Sequence, residues 1–251
     1  MKKSDALLLM ALVLCLAIAV IFGIPNIISY SDETLGNLVA DTVPRLAVGI
    51  FLVALMSERG YSKTFKVKWR GKHLLWSIPC FLVAIVNFPF TALMKGTAVI
   101  ERIDLLWLFV LKCAAIALLE ETFFRALLLP VFAERFAKNK YGMFLSVIST
   151  SVLFALMHLI NLLFGAGVGA TILQVGYTFL IGCMLAVMQL KTKNVWLCVI
   201  VHALFDFGGT IVTDLGRGSF QDTAFWILTA AAGILCTVHI IMTLQRMSKD
   251  K

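Results

Sequence analysis

Eight stretches of about twenty apolar residues leave this chain one kind of structure to adopt. At ~1.5 Å per helical residue, ~20 residues cross the hydrocarbon core of a bilayer. Such stretches run through Ala6–Ile28, Leu38–Met56, Leu74–Met94, Leu105–Pro130, Met143–Phe164, Ala170–Leu190, Val195–Thr213 and Thr223–Leu244. In lipid every backbone polar group must find its partner within its own segment, so each stretch is predicted to be a helix. The expected fold is all-α, a polytopic integral membrane bundle of about eight transmembrane helices, with residues 1–251 forming a single transmembrane domain. Composition agrees: 61% of the residues are hydrophobic and 14% charged, far from a soluble domain.

Orientation follows from the basic residues, because cytoplasmic loops carry the positive excess. With the N-terminus inside, sixteen of the 22 Lys and Arg fall on the cytoplasmic side, whereas Lys95, Arg102 and Arg217 fall outside and Arg45, Lys112 and Arg125 within spans. Both termini are therefore predicted to be cytoplasmic. The net charge of +8 reflects this topology and contact with anionic lipid, and no nucleic-acid partner is expected. Lys2 and Lys3 ahead of an apolar run suggest a cleaved signal, but the run continues through Val20, Ile21 and Phe22 to a full span, so it reads as a first transmembrane helix.

Several features read as ordinary packing or connection. Six cysteines, Cys15, Cys80, Cys113, Cys183, Cys198 and Cys236, all fall inside spans without C-x-x-C spacing and look like small apolar packing residues. No internal repeat is visible, which weighs against a transporter built from two related halves. The basic connection "SERGYSKTFKVKWRGKH" alternates Phe65, Val67 and Trp69 with Lys66, Lys68 and Arg70; if extended, it would rest an apolar face on headgroups. "GAGVGA", Gly165 to Ala170, lacks phosphate-loop spacing and reads as a tight external turn.

Ionisable groups at bilayer depth cost about 2.5–3.5 kcal/mol each even on a lenient scale, so each is a functional hypothesis. Span four holds Lys112, Glu120, Glu121 and Arg125; span five holds His158; span seven holds His202 and Asp206. Arg45, Lys112 and His239 are expected to be snorkelling or helix-end groups, and His73 sits in the basic loop. Glu121 and Arg125 are i and i+4 and can pair on one helix face, leaving Glu120 turned away. A free carboxylate in an apolar bundle seeks a cation or a hydrogen-bond donor and is placed to act as a general base. His202 and Asp206 are also i and i+4, so the carboxylate can orient the imidazole, and Phe154 lies on the face of His158. Residues on three helices can converge in a bundle core, as helical metal sites do.

Glu120-Glu121-x-x-x-Arg125, Phe154-x-x-x-His158 and His202-x-x-x-Asp206, in this order on three spans, resemble the signature motifs of the CAAX prenyl endopeptidase and bacteriocin-processing family of Abi-type intramembrane proteases. The resemblance runs from about Leu105 to Thr213. It implies that Glu120 and His158 activate a water for attack on a peptide carbonyl. It also implies that His202 and Asp206 shape the oxyanion site, with Glu121, Arg125 and Phe154 supporting. A metalloprotease and a metal-free glutamate mechanism both fit, since Glu and His serve either chemistry; a bound Zn2+ or other divalent metal would draw on Glu120, His158, His202 and Asp206. No H-E-x-x-H, G-x-S-x-G or G-x-G-D motif is present. Family members carry Asn or Asp at the position of Asp206. An ionised aspartate cannot donate to an oxyanion, so Asp206 is expected to orient and charge His202, or to help hold a metal.

Helix counting raises one conflict. From the predicted cytoplasmic ends, Glu120 lies about 15 Å deep, His202 about 10 Å and His158 about 22 Å. Tilt, or a late start of span five after an interfacial segment at 141–147, is needed to bring them together. The expected activity is intramembrane endopeptidase cleavage of a membrane-associated peptide or protein, either of CAAX type or a bacteriocin or signalling-peptide precursor, in a bacterial plasma membrane. A proton-coupled transporter and a non-catalytic immunity or scaffold protein are the competing expectations.

Overall fold

The computed structural model describes residues 30–67 and 71–249. The predicted span Ala6–Ile28, both chain ends, Cys15 and residues 68–70 of the basic loop lie outside them. Among the described residues nine α-helices follow in order: α1 Glu33–Met56, α2 Gly71–Val86, α3 Phe90–Lys95, α4 Leu106–Glu121, α5 Leu129–Arg135, α6 Gly142–Met157, α7 Val168–Thr192, α8 Val195–Leu215 and α9 Thr223–Lys249. Two three-residue strands, β1 Ala98–Ile100 and β2 Gly216–Gly218, pair antiparallel with Val99 opposite Arg217, a small departure from an all-α chain.

Among the described residues, six helical runs are long and apolar enough to cross a membrane: Glu33–Phe65, Leu74–Lys95, Gly142–Phe164, Val168–Thr192, Val195–Leu215 and Thr223–Met247. A further run is helical from Leu106 to Arg135 without interruption and carries the charges of the predicted fourth span. Large apolar side chains face outward from these helices, among them Leu75, Trp107, Phe144, Ile227 and Ile234, as a lipid solvent allows. The chain is a multi-pass, all-α membrane bundle.

Three predicted spans are shaped differently from expectation. The third is not one helix: it breaks at Asn87–Pro89, between α2 and α3, because Pro89 lacks an N–H and disfavours helical geometry at the residue before it. The fourth does not end at Pro130 but continues to Arg135. Pro130 has no N–H for the carbonyl of Ala126, and the chain passes it by widening into a π-helix over Thr122–Leu128. The fifth has no interfacial preface, since α6 runs from Gly142 onward. The basic connection opens with two helical turns, Ser57–Tyr61 and Ser62–Phe65, and turns extended at Lys66, while 68–70 of the alternating stretch lie outside the described residues; the Phe65 carbonyl accepts a 2.8 Å hydrogen bond from Trp196 Nε1.

In the interior, α4 packs on α1 and α8, α7 on α6 and α9, and α2 on α8 and α9. One buried cluster joins α2, α7, α8 and α9 through Cys80, Leu185, Val187, Cys198 and Val201. Another joins α1, α4 and α8 through Leu38, Phe109, Cys113, Ile211 and Val212. Buried hydroxyls turn back onto their own helices, as Thr42 does to Leu38 O (2.6 Å) and Thr150 to Ser146 O (2.8 Å), which satisfies them without water.

Ion pairs fasten the end of the bundle that carries β1 and β2. Arg102 donates to Asp32 and to Asp104 at 2.9 Å and holds both carboxyls below their ordinary range. Lys95 donates to Asp222 at 2.8 Å. With further donors from the Phe225 N–H and the Thr91 hydroxyl, it lowers Asp222 to about 2.

Candidate active site

Glu121 is the hinge of the site. It ends α4, is fully buried, and uses its two oxygens for two partners: Oε2 lies 3.1 Å from Arg125 Nε, and Oε1 lies 2.7 Å from His202 Nδ1. The i,i+4 pair is thus present across the π-helical turn, but Glu121 also carries the imidazole of another helix. Arg125 donates in addition to Gly182 O at 3.3 Å, and its guanidinium lies 4.5 Å from the centre of the Phe154 ring.

With Nδ1 facing Glu121, His202 presents Nε2 to the other two carboxylates. Asp206 Oδ2 is 3.5 Å from Nε2 and Glu120 Oε2 is 3.8 Å away. These separations exceed a direct hydrogen bond but match groups that share a water. Glu120 Oε2 is buried and has no hydrogen-bond partner of its own. The side chains of Glu120 and Asp206 keep 18% and 22% of their surface exposed, so a substrate can reach them.

His158 enters from the far side. It opens the 3₁₀ segment His158–Phe164 at the end of α6. Its Nδ1 lies 3.0 Å from the Phe154 carbonyl, an acceptor only, so Nδ1 carries a proton. Phe154 touches both histidines with its ring nearly perpendicular to theirs, ring centres 5.2 Å from His158 and 5.9 Å from His202. Among the described residues no carboxylate oxygen pairs with His158 within 4.0 Å, whereas His202 Nε2 lies 3.8 Å from Glu120. Gly182 permits this packing, since a Cβ there would sit 3.2 Å from Phe154 Cδ1 and from Ser151 Cβ.

The depth conflict disappears once real helix ends replace predicted ones. Glu120 is fifteen residues from Arg135 and His158 sixteen from Gly142, about 22 and 24 Å. His202 seemed shallow because α8 begins at Val195, yet Thr192, Asn194 and Val195 are buried. The turn between α7 and α8 is partly covered, with Lys191 and Lys193 exposed beside the buried Thr192, Asn194 and Val195.

Beyond Asp206 opens a cavity of about 220 Å³, apolar and shaped by Tyr177, Phe205, Phe225 and Trp226. Asn87, at the break between α2 and α3, reaches it and donates to Phe205 O at 2.7 Å. A Cβ on Gly208 would meet Phe88 N at 2.8 Å, so glycine is what lets the break approach α8.

Two expectations are corrected. Lys112 does not snorkel. Its Nζ lies 3.0 Å from Asp41 Oδ2 and 2.9 Å from Asp214 Oδ2, and Arg45 lies 2.7 Å from Asp41 Oδ1. Asp41 and Asp214 were missed as partners, although the Asp41-x-x-x-Arg45 spacing signals half of the cluster. His239 packs against Trp76, with ring centres 4.5 Å apart and the rings tilted by 43°, and it lies in the middle of α9 and is not an end-of-helix group. As for a metal, no three His, Cys, Asp or Glu side chains among the described residues are arranged to hold one ion.

The model of the Rce1-like family, type II CAAX prenyl endopeptidases, matches residues 102–208. This stretch is similar to an Rce1-like domain. The Rce1-like match spans α4 to most of α8 and contains Glu120, Glu121, Arg125, Phe154, His158, His202 and Asp206. The match supports a membrane protease of CAAX type, acting at a bilayer on a peptide or protein. The Rce1-like match leaves α1, α2 and α9 outside it. No curated protein and no solved structure matches the chain.

Proposed function

We propose that the chain is an intramembrane endopeptidase that cleaves a membrane-associated peptide, using Glu120 as the base. The setting we propose is a bacterial plasma membrane, and the substrate class is a CAAX-type or peptide-precursor C-terminus. The observation that carries the reading is the unpartnered Oε2 of Glu120 facing His202 Nε2 at 3.8 Å, a gap suited to one water.

In the proposed step Glu120 takes a proton from that water, and the hydroxide oxygen bonds to the scissile carbonyl carbon. The carbonyl π pair moves onto oxygen. When the tetrahedral intermediate collapses, the C–N bond breaks and Glu120 returns its proton to the leaving nitrogen. Glu121 fixes Nδ1–H of His202, so a doubly protonated ring turns its Nε2–H toward the developing oxyanion. Asp206, an acceptor, orients that N–H. His158 Nε2 is a second acceptor on the substrate side. No step runs through a metal.

Wild type and Glu120→Gln in proteoliposomes, with mass spectrometry of released peptides, test this. The expected result is cleavage by wild type, a fall of about 100-fold or more in the variant, and a wild-type rate within twofold after chelation. Equal cleavage by both proteins overturns the role of Glu120. Loss on chelation, restored by a divalent ion, overturns the metal-free route.

A further inference from the structure

Two helices carry the charged site, and they are joined a second time at a distance. Lys112 and Glu120 lie eight residues apart on α4; Asp206 and Asp214 lie eight residues apart on α8. The helices run antiparallel, and Lys112 meets Asp214 at 2.9 Å where Glu120 faces His202 and Asp206. Each helix therefore bears two charged rungs with the same spacing, about 12 Å. Between the rungs α4 reads Cys113-Ala-Ala-Ile-Ala-Leu-Leu119, and the packed residues near the outer rung, Phe109, Cys113, Ile211 and Val212, are apolar.

Apolar contact is non-directional and tolerates a sliding or rolling displacement. A buried charge pair does not, because one register satisfies it and others strand a charge in lipid. The Lys112 side chain is 12% exposed. It is also held from α1 by Asp41 at 3.0 Å, which is fixed in turn by Arg45 at 2.7 Å. The four charges sum to zero and tie three helices. Asp41 and Asp214 lie outside residues 102–208, so this clamp is built partly from chain beyond the Rce1-like match.

We propose that Lys112, with Asp214 and Asp41, is a positioning residue: the outer rung sets the register of α4 against α8 and so holds Glu120 opposite His202 Nε2. The proposal rests on the protease reading. A one-residue slip moves a helix by about 1.5 Å, enough to take the 3.5 and 3.8 Å separations around Nε2 to as much as about 5.0 and 5.3 Å and so to change the angle at which one water meets the groups.

The test uses full-length protein in proteoliposomes, with a farnesylated peptide ending in a CAAX sequence as probe. Lys112→Met is expected to lower kcat by about 100-fold with KM within twofold, and Lys112→Arg to stay within about threefold of wild type. Glu101→Gln, which breaks the exposed Arg217 pair near the same end, keeps wild-type kcat. In parallel, solid-state ¹⁵N NMR of the His202 ring, assigned with His202→Gln, reads the hydrogen bond to Glu121 independently of turnover. Its Nδ1–H signal is expected to shift in Lys112→Met and to return in Lys112→Arg. An unchanged kcat and ring signal in Lys112→Met overturns the clamp, as does a kcat loss that vanishes when rates are counted per folded molecule. If Lys112→Met does not fold, Asp214→Asn is read in the same two assays by the same criteria. If wild type cleaves no peptide, the protease reading fails, and the ring signal alone decides the clamp.

Discussion

Arg125→Met removes the only cation that faces Glu121 at 3.1 Å while leaving that carboxylate fully buried. Three contacts go: the ion pair, the 3.3 Å hydrogen bond to Gly182 O, and the guanidinium 4.5 Å from the Phe154 ring. Breaking a buried pair by removing one partner costs about 3–5 kcal/mol in soluble proteins. Polar contacts between membrane helices average about 0.6 kcal/mol and reach about 1.7, because the unfolded chain in lipid finds other partners. Three bilayer-scale contacts give roughly 2–5 kcal/mol, and a stranded charge costs at least about 3 kcal/mol, so a loss of about 3 kcal/mol or more is expected. Glu121→Leu/Arg125→Met leaves no charge at these two positions and is expected to recover about 2 kcal/mol of it. Yet both variants lose activity, since Arg125→Met releases Glu121 from its position and the double variant removes the acceptor for His202 Nδ1. The assay is reversible unfolding in mixed detergent micelles, with peptide cleavage measured on the same preparations. A double variant no more stable than Arg125→Met would refute the charge argument, because the cost would then be lost packing.

Asp206→Asn is expected to lower kcat by about 100-fold, if the 3.5 Å approach of Asp206 to His202 Nε2 works through charge; full retention in a steady-state assay would assign the position to polar orientation alone. Gly208→Ala drives a Cβ to within 2.8 Å of Phe88 N and should cost about 1–3 kcal/mol by overpacking, with Gly233→Ala, where a Cβ meets open space, as the control in the same unfolding assay. Asp222 titrates near 2 in the fold against 3.8 ordinarily, so its folded-state value is depressed. The stability it lends is present above pH 4 and is lost as pH falls from about 4 to 2. Amide exchange at the start of α9 should rise over that window in wild type and stay flat in Asp222→Asn.

The chemistry-bearing residues were legible because lipid makes a charge conspicuous. Glu120, Glu121, Arg125, His158, His202 and Asp206 stand out in apolar runs, and i,i+4 spacing on one helix depends on nothing beyond that helix. What lay between helices was not legible. Sequence spacing cannot show that Glu121 faces His202, that Phe154 touches two imidazoles, or that Lys112 belongs to a clamp with residues 71 and 102 positions away. Depth was misjudged for the same reason. Hydropathy ends a span where apolar residues end, whereas the helix continues through Pro130 to Arg135, and Thr192, Asn194 and Val195 around the turn before α8 are buried by their neighbours. By itself the sequence determined the solvent, the helices and the candidates for chemistry, since burial in lipid and helical period are local properties. The tertiary structure alone decided which nitrogen of His202 faces which carboxylate, because that depends on the register between antiparallel helices, which side chains far apart in the chain set together.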